Sequence, residues 1–169
     1  TYRMKNYLTL LIVFACYNLH AQCPPGNVIL LNQSEVNAYV ATYPECTEIS
    51  GYLQIGDFNN PTDITDISGL SSLTSIDEGL DILYNVDLMT LGGLENLASI
   101  GGRLLIGFNT SLTDLDSLGN LISLGGSLGI DSNDALTDIS SLGNLTSIEG
   151  HLSLDSNDGL TSLNGLHNL

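Results

Sequence analysis

The side chains able to do chemistry here are acids in quantity, a few histidines and cysteines, and serines that recur at fixed intervals. His151 and His167 have no partner at metal-ligand spacing, so a zinc site is not expected. The tetrapeptide Asp-Ser-Asn-Asp occurs at Asp131–Asp134 and again at Asp155–Asp158. If those stretches stack like paired strands, ~4.8 Å apart, Asp131 meets Asp155 and Asp134 meets Asp158. A calcium ion between Asp131 and Asp155 would relieve the repulsion; solvated turn acids are the plainer reading. Ser75, Ser99, Ser123 and Ser147 share one repeat position, but none has a histidine placed to activate it, which argues against a nucleophile. Asp66, Asp114 and Asp138 share another position, as polar turn residues would. Neither a cofactor nor catalysis is expected.

These residues are placed by a repeat. LLIGFNTSLTDLDSLGNLISLGG begins at Leu104 and LGIDSNDALTDISSLGNLTSIEG at Leu128, an offset of 24 residues from 104 to 128. Leu80 and Leu152 open the same phrase at the same spacing. Leu53 opens a looser copy with three extra residues after Ile55. A fixed period of this size marks stacked units, each burying the face of its neighbour. Within a unit the apolar residues recur every third position, as at Leu112, Leu115, Leu118, Leu121 and Leu124. Between them stand Ser, Thr, Asp, Asn and Gly, which disfavour helix interiors and favour turns. Short strands joined by tight turns are therefore expected, with each of these leucines pointing inward.

Two polar columns run through this apolar frame. One is Asn85, Asn109, Asn133 and Asn157, with Asn59 as its member in the longer first unit. The other is Asn96, Asn120, Asn144 and Asn168, with Ser72 in the first unit. A side-chain amide at a fixed position can bond turn backbone and the amides above and below it, so both columns are expected to be structural. Phe58, Tyr84 and Phe108 each stand directly before a column asparagine. They could stack against a sugar or a protein loop, or pack beneath the turn.

Charge narrows the partners. Arg3 and Lys5 lie in the first 21 residues, and the remainder sets Arg103 alone against 19 Asp+Glu, a formal balance of −18. Such a surface repels a phosphate backbone and anionic lipid, so no nucleic acid partner is expected. Residues 1–21 read as a secretory signal peptide. Met4 and Lys5 precede an apolar run from Tyr7 to Tyr17, and cleavage is expected after Ala21. That run is about half of the ~20 residues a spanning helix needs, so direct membrane insertion of the mature chain is not expected. A secreted or cell-surface location follows. Cys16 leaves with the signal, and in an exported chain the remaining pair, Cys23 and Cys46, implies a disulfide. Residues 22–50 do not repeat. Between the cysteines, NQSEVNAYVATYP reads as a short helix capped by Ser34, or by Asn32 with Glu35, and ended by Pro44. Val36, Tyr39 and Val40 fall on one face. This segment is expected to cover the open side of the first unit.

The frame is close to a leucine-rich repeat but spaces its asparagine and next leucine as N-x-x-L, as from Asn109 to Leu112. With that departure the sequence resembles the receptor L domain. That domain forms the ligand-binding lobes of insulin- and epidermal-growth-factor-type receptors and occurs in secreted bacterial surface proteins. The junction ECTEISGYLQIG, Glu45–Gly56, is similar to the family's entry into its first coil, and GLENLASIGG and LGNLTSIEG to its later coils. The likeness runs from Cys23 to the end. It implies an all-β fold, a right-handed, single-stranded β-helix-like solenoid of about five coils over residues 51–169. It also favours the Cys23–Cys46 bond. The phrase breaks off at Leu169, so a C-terminally truncated piece of a longer protein is expected. The implied function is recognition without catalysis. A protein or carbohydrate ligand would sit on the face carrying Tyr52, Arg103 and His151, with Phe58, Tyr84 and Phe108 beside it. The alternatives are a carbohydrate-active β-helix enzyme and a purely structural spacer.

Overall fold

The computed structural model describes residues Cys23–Leu169, so the expected signal peptide lies outside the described residues. The units opening at Leu53, Leu80 and Leu104 each send one strand to each of two sheets. The longer strands are β3 (Leu53–Gly56), β5 (Leu80–Leu83), β7 (Leu104–Gly107) and β9 (Leu128–Asp131), with a shorter β10 (Leu152–Ser153). The shorter set is β2 (Glu48–Ile49), β4 (Ser75–Ile76), β6 (Ser99–Ile100) and β8 (Ser123–Leu124). All pairing is parallel and steps by one unit: Leu53 pairs with Leu80, Leu80 with Leu104, Leu104 with Leu128 and Leu128 with Leu152. The period read from the sequence is thus the register of the sheet. An N-terminal strand, β1 (Val28–Leu30), pairs with β3. It completes a six-stranded sheet, β1-β3-β5-β7-β9-β10, beside a four-stranded one, β2-β4-β6-β8.

The expectation of an all-β, β-helix-like solenoid is overturned. The described residues are 16% helix and 22% strand, the sheets are wholly parallel, and no closed β-helix solenoid forms; the fold is α/β. The physical reason lies between the leucines. Their spacing of three matches the 3.0 residues per turn of a 3-10 helix. Short 3-10 helices form at Ser68–Leu70, Asp116–Leu118, Ser140–Asn144 and Asn164–Leu166. Each is started by a polar side chain two residues ahead. Asp66 Oδ1 accepts the Ser68 N–H at 2.8 Å, Asp114 Oδ1 that of Asp116 at 3.1 Å, and Asp138 Oδ1 that of Ser140 at 2.7 Å. Ser162 Oγ does the same for Asn164 at 3.2 Å. The backbone bonds from Ser68 and Ser140 hold the Asp66 and Asp138 carboxyls below the usual carboxylate range. With this side helical in every unit but the one opening at Leu80, no third sheet remains to close the other two.

Burial follows the apolar frame. Leu112, Leu115, Leu118 and Leu121 are 0% exposed and Leu124 2%. The inward residues of the long sheet, among them Leu80, Ile82, Leu104, Ile106, Leu128 and Ile130, join the same cluster. Full burial of one such side chain contributes ~1.5–3 kcal/mol. At the N-terminal end the helix α1 (Gln33–Thr42) lies on this cluster through Val36, Tyr39 and Val40. Its cap is Asn32, not Ser34. Asn32 Oδ1 accepts the Glu35 N–H at 3.0 Å, and Glu35 reaches back to the Leu31 N–H at 2.7 Å. Gln33 ties α1 to the first unit, donating to the Asp66 carbonyl and accepting from the Thr65 and Asp66 N–H groups. The Cys23–Cys46 disulfide is closed, as expected.

Candidate ligand-binding face

The asparagine columns divide by burial. Asn85, Asn109 and Asn133 are fully buried. Each backbone N–H donates to the side-chain oxygen of the next asparagine: Asn85 to Asn109, Asn109 to Asn133 and Asn133 to Asn157, all at 3.1 Å. Each side-chain N–H reaches back to a strand carbonyl, Ile55 from Asn85, Ile82 from Asn109, Ile106 from Asn133 and Ile130 from Asn157. Asn59 is not the first member; it is exposed, and Thr62 takes its place, its hydroxyl donating to Asn85 Oδ1 at 2.7 Å. The second column lies on the surface. Asn96, Asn120, Asn144 and Asn168 donate to the carbonyls of Ser71, Glu95, Gly119 and Gly143 in the preceding unit. Both columns are spent on backbone, leaving no chemistry in them.

The residue before each buried-column asparagine turns the chain with a positive φ: Tyr84 at 56°, Phe108 at 58°, Ser132 at 60° and Ser156 at 55°. Side chains rarely adopt this conformation, and here the asparagine ladder enforces it. It throws Tyr84 and Phe108 outward into a stack, with ring centroids 4.4 Å apart and planes 8° apart. Phe58 is 45% exposed, and among the described residues it joins no aromatic pair. Two of the three expected aromatics therefore meet.

On the outer face of the long sheet, Tyr52 and Arg103, directly before β3 and β7, come together with Asp81 of β5 between them. Asp81 is 0% exposed, while the Arg103 side chain is 49% exposed. Arg103 Nε donates to Asp81 Oδ1 at 2.9 Å, Nη2 donates to Oδ2, and the Tyr52 hydroxyl donates to Oδ2 as well. The guanidinium also lies 5.9 Å from the centre of the Tyr52 ring. Burial, then the bond to Asp81, pushes the Tyr52 phenol up to about 12. The bonds to Asp81 and Tyr52 raise the Arg103 pKa in turn. Arg103 is the one Lys or Arg among the described residues, and the buried Asp81 compensates its charge. Asp81 pairs in register with Gln54 and Leu105, yet its partnership with Arg103 runs diagonally, 22 residues apart and not 24.

Beyond this cluster a shallow groove of about 280 Å³ runs along the sheet, lined by Arg103, Leu105, Ser127, Asp131, His151 and Ser153. Arg103 and His151 both line it, with Tyr52 behind Arg103. Asp131 and Asp155 also come together, but through protein groups. The Ser153 hydroxyl lies 2.7 Å from Asp131 Oδ1 and 3.2 Å from Asp155 Oδ2, and the Asp155 N–H donates to Asp131 Oδ1 at 3.0 Å. No group of three His, Cys, Asp or Glu side chains suited to a metal occurs among the described residues. No family model matches this chain, and neither the curated proteins nor the solved structures contain a match to it.

Proposed function

We propose that this chain is a recognition module of the cell exterior that binds a protein or carbohydrate ligand, without chemistry, on the outer face of its six-stranded sheet. The observation that carries the reading is the Tyr52–Asp81–Arg103 cluster opening onto the groove that holds His151. Polar groups locked by a buried partner need little further ordering when a ligand arrives. The acids that recur by repeat position have structural tasks: Asp66, Asp114 and Asp138 start 3-10 helices, and Asp131 braces its turn. A disulfide at the N-terminal end suits an oxidising compartment. The likeness of Glu45–Gly56 to a receptor L domain points the same way, although the closed solenoid it implied is not the fold formed. The test is an array of glycans and extracellular proteins, run beside a glycoside hydrolysis assay on the same preparation. Saturable binding weakened by His151→Ala, with no product released, is the expected result. Released product returns the enzyme reading, and silence in both assays leaves a structural spacer.

A further inference from the structure

We propose that the groove beside Arg103 accepts an uncharged saccharide unit; this rests on the recognition reading above and narrows it to a ligand class. The lining of the groove includes the buried Gly129, which pairs with Leu105 on one side and Ser153 on the other. A β-carbon at this position would stand 2.7 Å from Leu105 Cδ1 and 3.4 Å from Asp131 Oδ2. The Leu105 methyl thus lies over the glycine beside a carboxylate oxygen of Asp131, and gives this stretch of the groove one apolar and one polar side. A sugar ring has the same two characters, a patch of C–H groups and an edge of hydroxyls.

The remaining hydrogen-bond capacity fits hydroxyls. Asp131 Oδ1 is engaged by Ser153 and the Asp155 N–H, which leaves Oδ2, near Gly129, to accept. Arg103 spends Nε and Nη2 on Asp81 and Tyr52, which leaves Nη1 to donate. The Ser127 oxygen receives the His151 backbone N–H at 3.0 Å, and its own proton is free to donate. A fixed acceptor and fixed donors within one groove match neighbouring hydroxyls, each of which both gives and receives. Charge then selects among sugars. Asp81 compensates Arg103, whereas Asp131 and Asp155 have no cationic partner among the described residues, so an acidic sugar is repelled. The volume of about 280 Å³ sits just below the ~300 Å³ where small-molecule sites begin, which suits one ring or a chain end.

The test titrates the full chain, disulfide intact, with neutral oligosaccharides and with their uronic-acid counterparts, after the array has identified a neutral binder. The neutral sugar should bind at least about tenfold more tightly than its acidic counterpart, a difference of ~1.4 kcal/mol. Gly129→Ala drives the Leu105 methyl off the glycine and should weaken binding by about tenfold or more while the melting temperature holds, because that methyl ends a side chain that can swing aside. His151→Ala, at an exposed position, should weaken it severalfold and provides a variant with no packing to disturb. A preference for acidic sugars, or neutral binding unmoved by both substitutions, overturns the saccharide proposal and leaves recognition standing. Capture of proteins alone on the array does the same. An array with no binder of any kind removes both.

Discussion

Asn109 shows what a single buried amide does in this fold. Its side-chain oxygen accepts the Asn85 N–H at 3.1 Å, and its side-chain nitrogen donates to the Ile82 carbonyl at 2.9 Å. Alanine there strands both backbone groups away from water. Asn109→Ala should therefore cost ~1–3 kcal/mol in urea unfolding, and Asn133→Ala a similar amount. Asn120→Ala removes one bond, to the Glu95 carbonyl, at an exposed position where water can replace it, so it should cost under ~1 kcal/mol. Equal losses in all three variants would mean that burial does not separate the columns. Tyr52 gives a prediction in pH. Its phenol titrates at about 12 in the fold against ~10 in an unfolded chain. A raised pKa stabilises the fold fully below the unfolded value, and that contribution is lost as pH rises through the folded one. Stability should fall between pH ~10 and ~12, in the window where phenolate absorbance appears. Tyr39, also about 12 through burial, titrates with it. Tyr52→Phe should remove one late phenolate and leave the other; an unchanged late absorbance would place Tyr52 among the ordinary tyrosines.

At the scale of elements, the cap is the part whose loss should be felt locally. The Cys23–Cys46 bond closes 23 residues of separation around β1 and α1, and closing a loop of that size is worth ~3 kcal/mol. Labelling of the unreduced protein should find no free thiol. Cys46→Ser should lower unfolding free energy by ~2–5 kcal/mol, and amide exchange should quicken first in β1, α1 and β3. Uniform quickening as far as β9 would refute the idea that the cap guards one end. The legibility of these elements varied for physical reasons. The strand register was readable because a 24-residue period leaves parallel strands one alignment that keeps every leucine inside. The helix α1 was readable from its cap and one-sided Val36, Tyr39 and Val40. The 3-10 segments were misread because leucines every third residue, with Asp, Ser and Gly between them, suit both a strand-and-turn coil and a 3-10 helix; the Asp66, Asp114 and Asp138 starters decide between these only once their bonds are seen. Strand β1 was missed because Val28–Leu30 is three residues long and lies outside the repeat. In the candidate face, Arg103 and His151 were legible as one row, but the shape of the groove between them depends on Leu105, whose methyl lies over Gly129.

At the scale of the whole molecule the question is how a chain of formal charge −16 stays folded. Stacking repeats align their acids, so the period that buries leucines also sets carboxylates in rows. Asp114 and Asp138 are bridged in parallel, and Asp131 and Asp155 share Ser153. Most of these groups are at the surface, where water and salt screen their repulsion over ~10 Å at 0.1 M. Self-repulsion of this kind weakens the compact state, so added salt should raise the melting temperature. Calcium is the sharper comparison. The repeated Asp-Ser-Asn-Asp stretches invite an ion between Asp131 and Asp155, and an ion bound only by the folded chain would stabilise it beyond its ionic strength. The geometry supplies another solution: a hydroxyl and a backbone N–H already occupy Asp131 Oδ1. Calcium also takes six to eight oxygen ligands, and two carboxylates sharing a serine are a poor start toward that number. Melting curves in millimolar calcium, in magnesium and in sodium chloride of matched ionic strength should therefore coincide, all lying above the low-salt curve. A calcium curve standing apart from the sodium one, and losing its advantage in Asp131→Asn, would restore the ion.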